Sequence, residues 1–378
     1  MSFITNIRSV AKYESKILVR SWFFRIFTLL AVVFLGFFNF AMMLMEDNFG
    51  LWFAKSVSSN IPYLNLLLLN TGQAVVAVFL SSEFLKRDKK LDTSEVFYVR
   101  PLSNAEYVIG KIWGNLRVFL LLNLLVLAIV LAFNFMASGI TVDWQAYGVY
   151  FLLISLPTLI FIIGLSIFLM LVLRNQALTF ILLLGYIGLT LFYIQDKFYY
   201  LFDYMVYNLP LFKSTIVGFS SLELILNHRA IYFFAGLGFI FFTIFLFKRL
   251  PNARRSHYPW LFLSLCMFLL AGTAGYRHVR SILREGEIRA LYTSINNKYV
   301  HEPKIAIDWY DISVEQKPET ICSVVGMKGT ALATSEIFTF CLNPGLKVGE
   351  VKEGEKPLDF KREEQILAVD FGRKIEKG

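Results

Sequence analysis

Residues 116–137 read "LRVFLLLNLLVLAIVLAFNFMA". After Arg117, 20 positions pass without a charge. At about 1.5 Å per residue, a helix of that length covers the roughly 30 Å hydrocarbon layer of a bilayer. A soluble helix would set a polar face against its apolar stripe. Here only Asn123 and Asn134 interrupt the apolar run. The segment predicts a membrane span, and it decides the class of the whole chain.

Six more runs of this kind lie at 26–45, 63–82, 148–173, 178–195, 231–247 and 260–276. The chain has 378 residues, 56% of them hydrophobic and 38 of them Phe, far above soluble usage. The first run lies too deep, is too long and lacks a small-residue cleavage site to be a removable signal peptide. The expected fold is an α-helical polytopic membrane protein of about seven spans, followed by an antiparallel β domain.

The net charge of +9 is localised. Residues 277–378 hold 16 Lys or Arg against 16 Asp or Glu, so the excess, 21 cations against 12 acids, belongs to the membrane part. Loops between spans follow the positive-inside rule, a simpler reason for this excess than nucleic-acid binding. With the N-terminus in the cytoplasm, 17 of the 21 fall inside. They are Arg8, Lys12, Lys16, Arg20 and Arg25, the seven from Lys86 to Arg117, Arg174, and Lys248, Arg249, Arg254 and Arg255. Lys55, Lys197, Lys213 and Arg229 fall outside. Seven spans then put residues 277–378 on the extracytoplasmic side. Residues 1–25 read as a cytoplasmic amphipathic helix, with Phe3, Ile7, Val10, Ile17 and Trp22 near helical spacing and Arg8, Lys12, Lys16 and Arg20 as a stripe. Such a helix lies in the headgroup plane, apolar face down, its cations toward anionic lipid.

The segment "EFLKRDKKLDTSEVFYVRPLSNAEYVIGKIWG", residues 83–114, is long for a loop between two spans. A short helix is expected near Thr93–Val99, capped by Asp92 or Thr93 and ended by Pro101. Ser103 or Asn104 caps a second helix that begins with Glu106 and runs into the third span. The hairpin exposes Val96, Phe97, Val99 and Leu102 beside charged residues, as docking surfaces do.

The arrangement "LDTSEVFYVRPLSNAEYVIGK" resembles the segment after the second span in type-2 ABC exporter permeases. That resemblance covers about residues 1–250 and implies a six-span permease domain over 26–250, with a seventh span added at 251–276. It implies that Leu91, Thr93, Ser94, Glu95, Val96, Phe97, Arg100, Pro101 and Leu102 form the coupling surface for an ATP-binding cassette subunit. ATP and Mg would sit on that partner; this chain has no GxxxxGK[ST] phosphate cradle and carries no cofactor of its own. The resemblance also implies a homo- or heterodimer of permeases in a bacterial inner membrane, and short helices dipping into the outer leaflet between spans five and six. Residues 196–229, including "FYYLFDYMVYNLPLFKSTIVGF" broken by Pro210, have the length for that element, which would gate a substrate exit.

A rival is an ion-coupled carrier, but no predicted span has a charge at its centre. Asn65, Asn70, Thr71 and Gln73 give the second span a polar face, and Asn123 and Asn134 do so for the third. They serve either interhelical hydrogen bonding or, for Asn65, Asn70, Gln73 and Asn123, a substrate path. Pro157 and Gly164 mark an expected kink in the fourth span.

Beyond a helical connector at 277–303 the periodicity changes to two. Ile305, Ile307 and Trp309 alternate with Ala306 and Asp308, and Ile312 and Val314 continue the run. "EIFTFCLNPGLKVGEVKEGEKPLDFKREEQILAVDF" holds three strand-like stretches split at Asn343-Pro344-Gly345 and Glu353-Gly354. "FTFCLNPGLKVGEV", "LDFKRE" and "QILAVDF" resemble the N-terminal β-saddle of aminopeptidase N-like zinc peptidases over about residues 304–378. The last strand, Ile366–Phe371, is followed by the polar "GRKIEKG", so the β domain is expected to be partial. The zinc signature H-E-x-x-H is absent: only His301 precedes a Glu, and Pro303 forbids the helix. No peptidase or ATPase activity is expected of the chain. Cys322 and Cys341 are free to pair in an oxidising compartment, but two unpaired buried thiols are the simpler expectation. The second functional class is a non-transporting membrane anchor that presents the β domain.

Overall fold

Among the described residues of the computed structural model, seven helices are long and apolar enough to cross a membrane. This is the architecture of a polytopic helical membrane protein, with a smaller antiparallel β region at the C-terminus. The structure describes residues 3–44, 57–87, 102–136, 141–194, 196–209, 211, 213–214, 218–219, 221–247, 258–316 and 320–378, without the side chains of 82–87.

The helices are α1 (Phe3–Arg20), α2 (Trp22–Leu44), α3 (Asn60–Arg87), α4 (Asn104–Met136), α5 (Trp144–Tyr150), α6 (Leu156–Leu173), α7 (Gln176–Leu189), α8 (Leu222–Leu246) and α9 (Tyr258–Lys298). A π-helical stretch, Phe151–Ser155, joins α5 to α6 as one span, and another, Thr190–Ile194, extends α7. The first of these wide turns has a local cause. Before Pro157, the missing N–H and the ring of the proline cannot be fitted into a regular ladder. A π-helical stretch thus lies directly before Pro157, where the kink is expected. Gly164 does something else: a Cβ there would lie 2.6 Å from the carbonyl oxygen of Gly236, so the pair brings α6 and α8 into backbone contact.

The chain divides into two compact units, residues 1–281 and 282–378. In the first, the core lies among α3, α4, α6 and α8, with Leu66, Phe119, Tyr150, Ile162, Ile163 and Ile244 fully buried. By contrast, α2 exposes Ile26, Leu29, Leu30, Val33, Phe34 and Phe37, as a helix facing lipid does.

Two expected boundaries are corrected. The sixth span starts at Leu222 rather than 231, so Arg229 is no loop cation. Hydropathy discounts Glu223, Asn227, His228 and Arg229, yet His228 Nε2 and the Arg229 guanidinium meet carbonyl oxygens inside the protein. The seventh span and the connector are one continuous helix, α9.

Two short strands of the first unit, β1 (Lys213–Ser214) and β2 (Gly218–Phe219), pair antiparallel, and in the second unit β3 (Ile305–Gln316) and β4 (Ile321–Ala331) form an antiparallel hairpin. A bulge between Ile307 and Trp309 explains why the apolar positions change from odd to even numbers. Ile305, Ile307, Tyr310, Ile312 and Val314 share one face, and Trp309 turns to the other. Lys352–Glu353 and Lys356–Pro357 (β6 and β7) form a tight hairpin turning at Gly354, whose φ is +60°. A three-stranded sheet has the order β5 (Ser335–Cys341), β9 (Ile366–Ile375), β8 (Asp359–Glu363). The last strand runs past the expected end at Phe371 to Ile375, which pairs with Ser335, and Gly372 takes φ +63° in the irregular stretch between the two registers. Leu358, Leu367 and Val369, packed by Phe340, Val348, Val351 and Phe371, make a small core. Arg362 reaches the carbonyl oxygens of Asn343 and Leu346, so the "LDFKRE" and "FTFCLNPGLKVGEV" stretches touch. Cys322 and Cys341 are unpaired as expected but exposed, since the edges that carry them are uncovered. Glu363 accepts from Lys298 Nζ at 2.8 Å and from Tyr299 at 2.5 Å, which hold its carboxyl below the usual range. Lys298 is raised by the same contact.

Candidate functional site

Of the predicted coupling surface, Leu91, Thr93, Ser94, Glu95, Val96, Phe97, Arg100 and Pro101 lie outside the described residues. Leu102 is described, half-buried, immediately before the start of α4. Ser103 and Glu106 then form a reciprocal cap: Glu106 N–H donates to Ser103 Oγ at 3.2 Å, and Ser103 N–H donates to Glu106 Oε2 at 2.6 Å. Glu106 Oε1 accepts from Asn6 Nδ2 at 2.8 Å, which ties the cap to α1.

The contact continues along both helices. Arg117 donates to the Ala11 carbonyl at 2.9 Å and to Ser15 Oγ, and Ser15 Oγ lies 2.7 Å from the Gly114 carbonyl. Lys111 Nζ sits 3.5 Å from Glu14 Oε2, with only 4% and 5% of the two side chains exposed. A buried pair of this kind is costly to break, because one charge would be left without its partner. The helices come this close because Gly110 and Gly114, four apart, present no side chain: a Cβ at Gly114 would meet Glu14 Cβ at 2.8 Å and Ala11 O at 2.9 Å. The face of α1 that is buried is therefore Asn6, Ala11, Glu14, Ser15 and Leu18, not the apolar set. Phe3 and Trp22 are exposed, and so are Arg8, Lys12, Lys16 and Arg20. Asn104 Nδ2 donates to the Phe247 carbonyl at 2.7 Å and Tyr107 stacks on Phe247, so the end of α8 joins this cluster.

In the middle of the bundle the four residues considered for a path are fully buried and paired. Asn65 and Asn39 exchange two hydrogen bonds, at 2.7 and 3.0 Å. Gln73 Nε2 donates to Asn70 Oδ1 at 2.6 Å, and Asn123 Nδ2 donates to Gln73 Oε1 at 2.8 Å. Ser155 Oγ donates to Asn123 Oδ1 at 2.7 Å. Here they link α2 to α3, and α3 to α4 and the π-helical stretch, in the manner of interhelical polar contacts.

At the opposite end the segments preceding α3, α5 and α8 converge on Lys213. Its Nζ binds both oxygens of Asp143 at 2.8 and 2.7 Å, its N–H donates to Tyr150 Oη at 3.1 Å, and its carbonyl accepts from Ser59 Oγ at 2.7 Å. Partial burial pushes the Asp143 carboxyl up, but Lys213 and the Ala146 N–H outweigh it and hold it below its ordinary value. No α-helix occurs among the described residues of 196–211; a single 3₁₀ turn, Phe198–Tyr200, takes the place of the expected dipping helices. Phe198, Tyr199, Tyr200 and Val206 all have left-handed backbone, φ 52° to 64°. Such conformations cost non-glycine residues about 1–2 kcal/mol each and persist only where the surroundings impose them.

The surroundings here are side-chain donors aimed at carbonyl oxygens. His278 Nε2 lies 2.8 Å from Tyr199 O, and His228 Nε2 lies 3.0 Å from Tyr200 O. Tyr232 donates to Leu201 O; Arg229 Nη1 and Thr158 Oγ1 donate to Tyr204 O at 2.9 and 3.1 Å. Arg229, 2% exposed, also donates through Nε to Leu153 O at 2.6 Å. That carbonyl is the one Pro157 cannot serve, since residue 157 has no N–H to give it. The guanidinium thus mends the proline break and pins residue 204 at once. Sequence reasoning missed this cluster; the one available signal was Arg229 next to His228, read as loop. Among the described residues no three His, Cys, Asp or Glu side chains come together as a metal set.

No protein-family model matches the chain, and no curated protein matches it in sequence.

Proposed function

We propose that this chain is the membrane-spanning permease subunit of an ATP-driven exporter, moved by a separate ATP-binding subunit that docks on residues 91–102 from the cytoplasm. The observation that carries the reading is the buried clamp of α1 on the start of α4, built from Asn6–Glu106, Glu14–Lys111 and Ser15–Arg117. It lies directly after the proposed docking segment. A push on 91–102 would meet a braced helix rather than a loose loop, and α4 carries it into the Asn123 network. The cations of α1, on the same end, favour the cytoplasmic side of a bacterial inner membrane. An odd number of spans then leaves 282–378 outside, where its contact between Arg362 and the Asn343 turn supports the β-saddle resemblance.

An ion-coupled carrier is the second reading, favoured by the buried Arg229 and His228. Arg229 spends its donors on carbonyls around Pro157, which makes it a brace before it is a transport site. The test is ATP hydrolysis by the complex purified in native lipid. Phe97→Asp, with the permease still monodisperse, is expected to abolish the stimulated rate, since losing a buried aromatic anchor costs about 2 kcal/mol or more. Stimulated hydrolysis unchanged by Phe97→Asp and Val96→Asp would remove the coupling assignment.

A further inference from the structure

The two histidines that hold residues 199 and 200 differ from the other donors because they can change charge. His228 on α8 and His278 on α9 are both fully buried, with ring centroids 5.0 Å apart. Each Nε2 faces a carbonyl oxygen, an acceptor only, so that nitrogen carries a proton in both rings; His278 Nδ1 also lies 3.4 Å from Leu224 O, which leaves His228 as the ring with no acceptor for a second proton. His228 Nδ1 is buried and has no hydrogen-bond partner among the described residues. A second proton on His228 would therefore create an N–H with no acceptor, beside the Arg229 guanidinium and facing the other imidazole. Neither ring has a carboxylate in ion-pair range among the described residues. Asp203 is engaged with the N–H groups of Tyr207 and Asn208 at 2.9 and 2.8 Å. The remaining groups near the two rings are Tyr232 on α8, Arg277 and Arg280 beside His278 on α9, and Glu223 at the start of α8, the last three exposed.

We propose that His228 is the switch of a proton-operated latch, which together with the anchor at His278 keeps residues 198–206 seated while the His228 imidazole is neutral and releases them when it is protonated. The seated form excludes the extra proton by geometry; the released form exposes the rings to water. Release relieves the unpartnered Nδ1–H of a protonated His228 and its repulsion by Arg229, and the left-handed residues 198–200 add to the drive. An imidazole in water titrates near about 6.5, so excluding one proton raises the ratio of released to seated forms about 30-fold between pH 8 and pH 5. The latch does not depend on whether an ATPase docks at the other end, and its readout involves none.

The experiment uses the full chain in lipid nanodiscs, with Cys266→Ala, Cys322→Ser and Cys341→Ser, and a nitroxide spin label at Tyr207→Cys, an exposed position. The mobile fraction of the spectrum is expected to rise steeply as pH falls from 8 to 5. His228→Gln with His278→Gln keeps an amide donor near each Nε2 position but cannot be protonated, and should give a spectrum independent of pH. A pH-independent spectrum of the unsubstituted latch, or a full pH response in the double Gln protein, overturns the proposal. If the double variant is not monodisperse, hydrogen exchange of 198–209, corrected for intrinsic rates, decides on the unsubstituted latch. Protection lost below pH 6 supports it, and protection retained at pH 5 refutes it.

Discussion

Gly114→Ala is the sharpest perturbation of the α1–α4 clamp. The added Cβ would stand 2.8 Å from Glu14 Cβ, 2.9 Å from Ala11 O and 3.2 Å from Ala11 Cα. Two of these three atoms are backbone, so no rotamer change relieves them. Ordinary contact begins near 3.4 Å, so α1 must withdraw by about 0.5 Å, the difference from the 2.9 Å approach. That motion stretches the Ser15–Gly114 contact of 2.7 Å and the Lys111–Glu14 pair of 3.5 Å together. Overpacking of this kind costs about 1–3 kcal/mol, and alanine returns up to about 1 kcal/mol in helix propensity, which leaves a net loss of about 1–2 kcal/mol. The control is Gly185→Ala in α7, where a new Cβ meets nothing within 4 Å and only the propensity gain remains. Reversible denaturant unfolding in mixed micelles, followed by circular dichroism, should show opposite signs for the two variants. Equal shifts, or a stabilised Gly114→Ala, would refute the close approach.

Two further outcomes follow from the opposite end. Arg229→Met should destabilise by about 3 kcal/mol or more through orphaned carbonyls. Pro157→Ala in the same chain should recover part of that loss by supplying an N–H to Leu153 O, which a double-mutant cycle will read; strict additivity would mean the proline break is not what Arg229 mends. For Asp143 the sign runs as for any carboxyl lowered by folding: the contribution is present above its ordinary value of 3.8 and is lost as pH falls below that through the folded-state value. The melting temperature should drop less between pH 6 and pH 3 in Asp143→Asn than in the natural chain; an equal drop excludes the Lys213 pair as the cause.

The spans were legible because twenty uncharged residues have few other ways to be satisfied, and the strand stretches because alternation survives even where a bulge changes its parity. The cap was legible as Ser103 or Asn104, and the structure gives it to Ser103 with the helix starting at Asn104 rather than Glu106. Other features depend on contacts between elements, which local pattern does not encode. The buried face of α1 is small and polar because Gly110 and Gly114 admit close approach, so the apolar spacing of Phe3 and Trp22 pointed to lipid, and Val10 alone of that set packs into the clamp, on Gly110. Arg229 read as loop because hydropathy prices a cation without knowing that Pro157 has freed a carbonyl for it. The left-handed run at Phe198–Tyr200 has no glycine to announce it, since side-chain donors impose it. Strand β4 was overlooked because Gly326 and Gly329 dilute the Val324–Val325 pair.

The account rests most on residues 91–102 being where an ATPase docks, and a photoreactive residue at Phe97, activated in native membranes, tests that directly. The account predicts a cross-linked chain whose peptides include a GxxxxGK[ST] phosphate cradle, formed from the same side of the membrane as α1 and lost in Val96→Asp. A product without that cradle, or labelling of position 97 only from the side that bears residues 282–378, would contradict it.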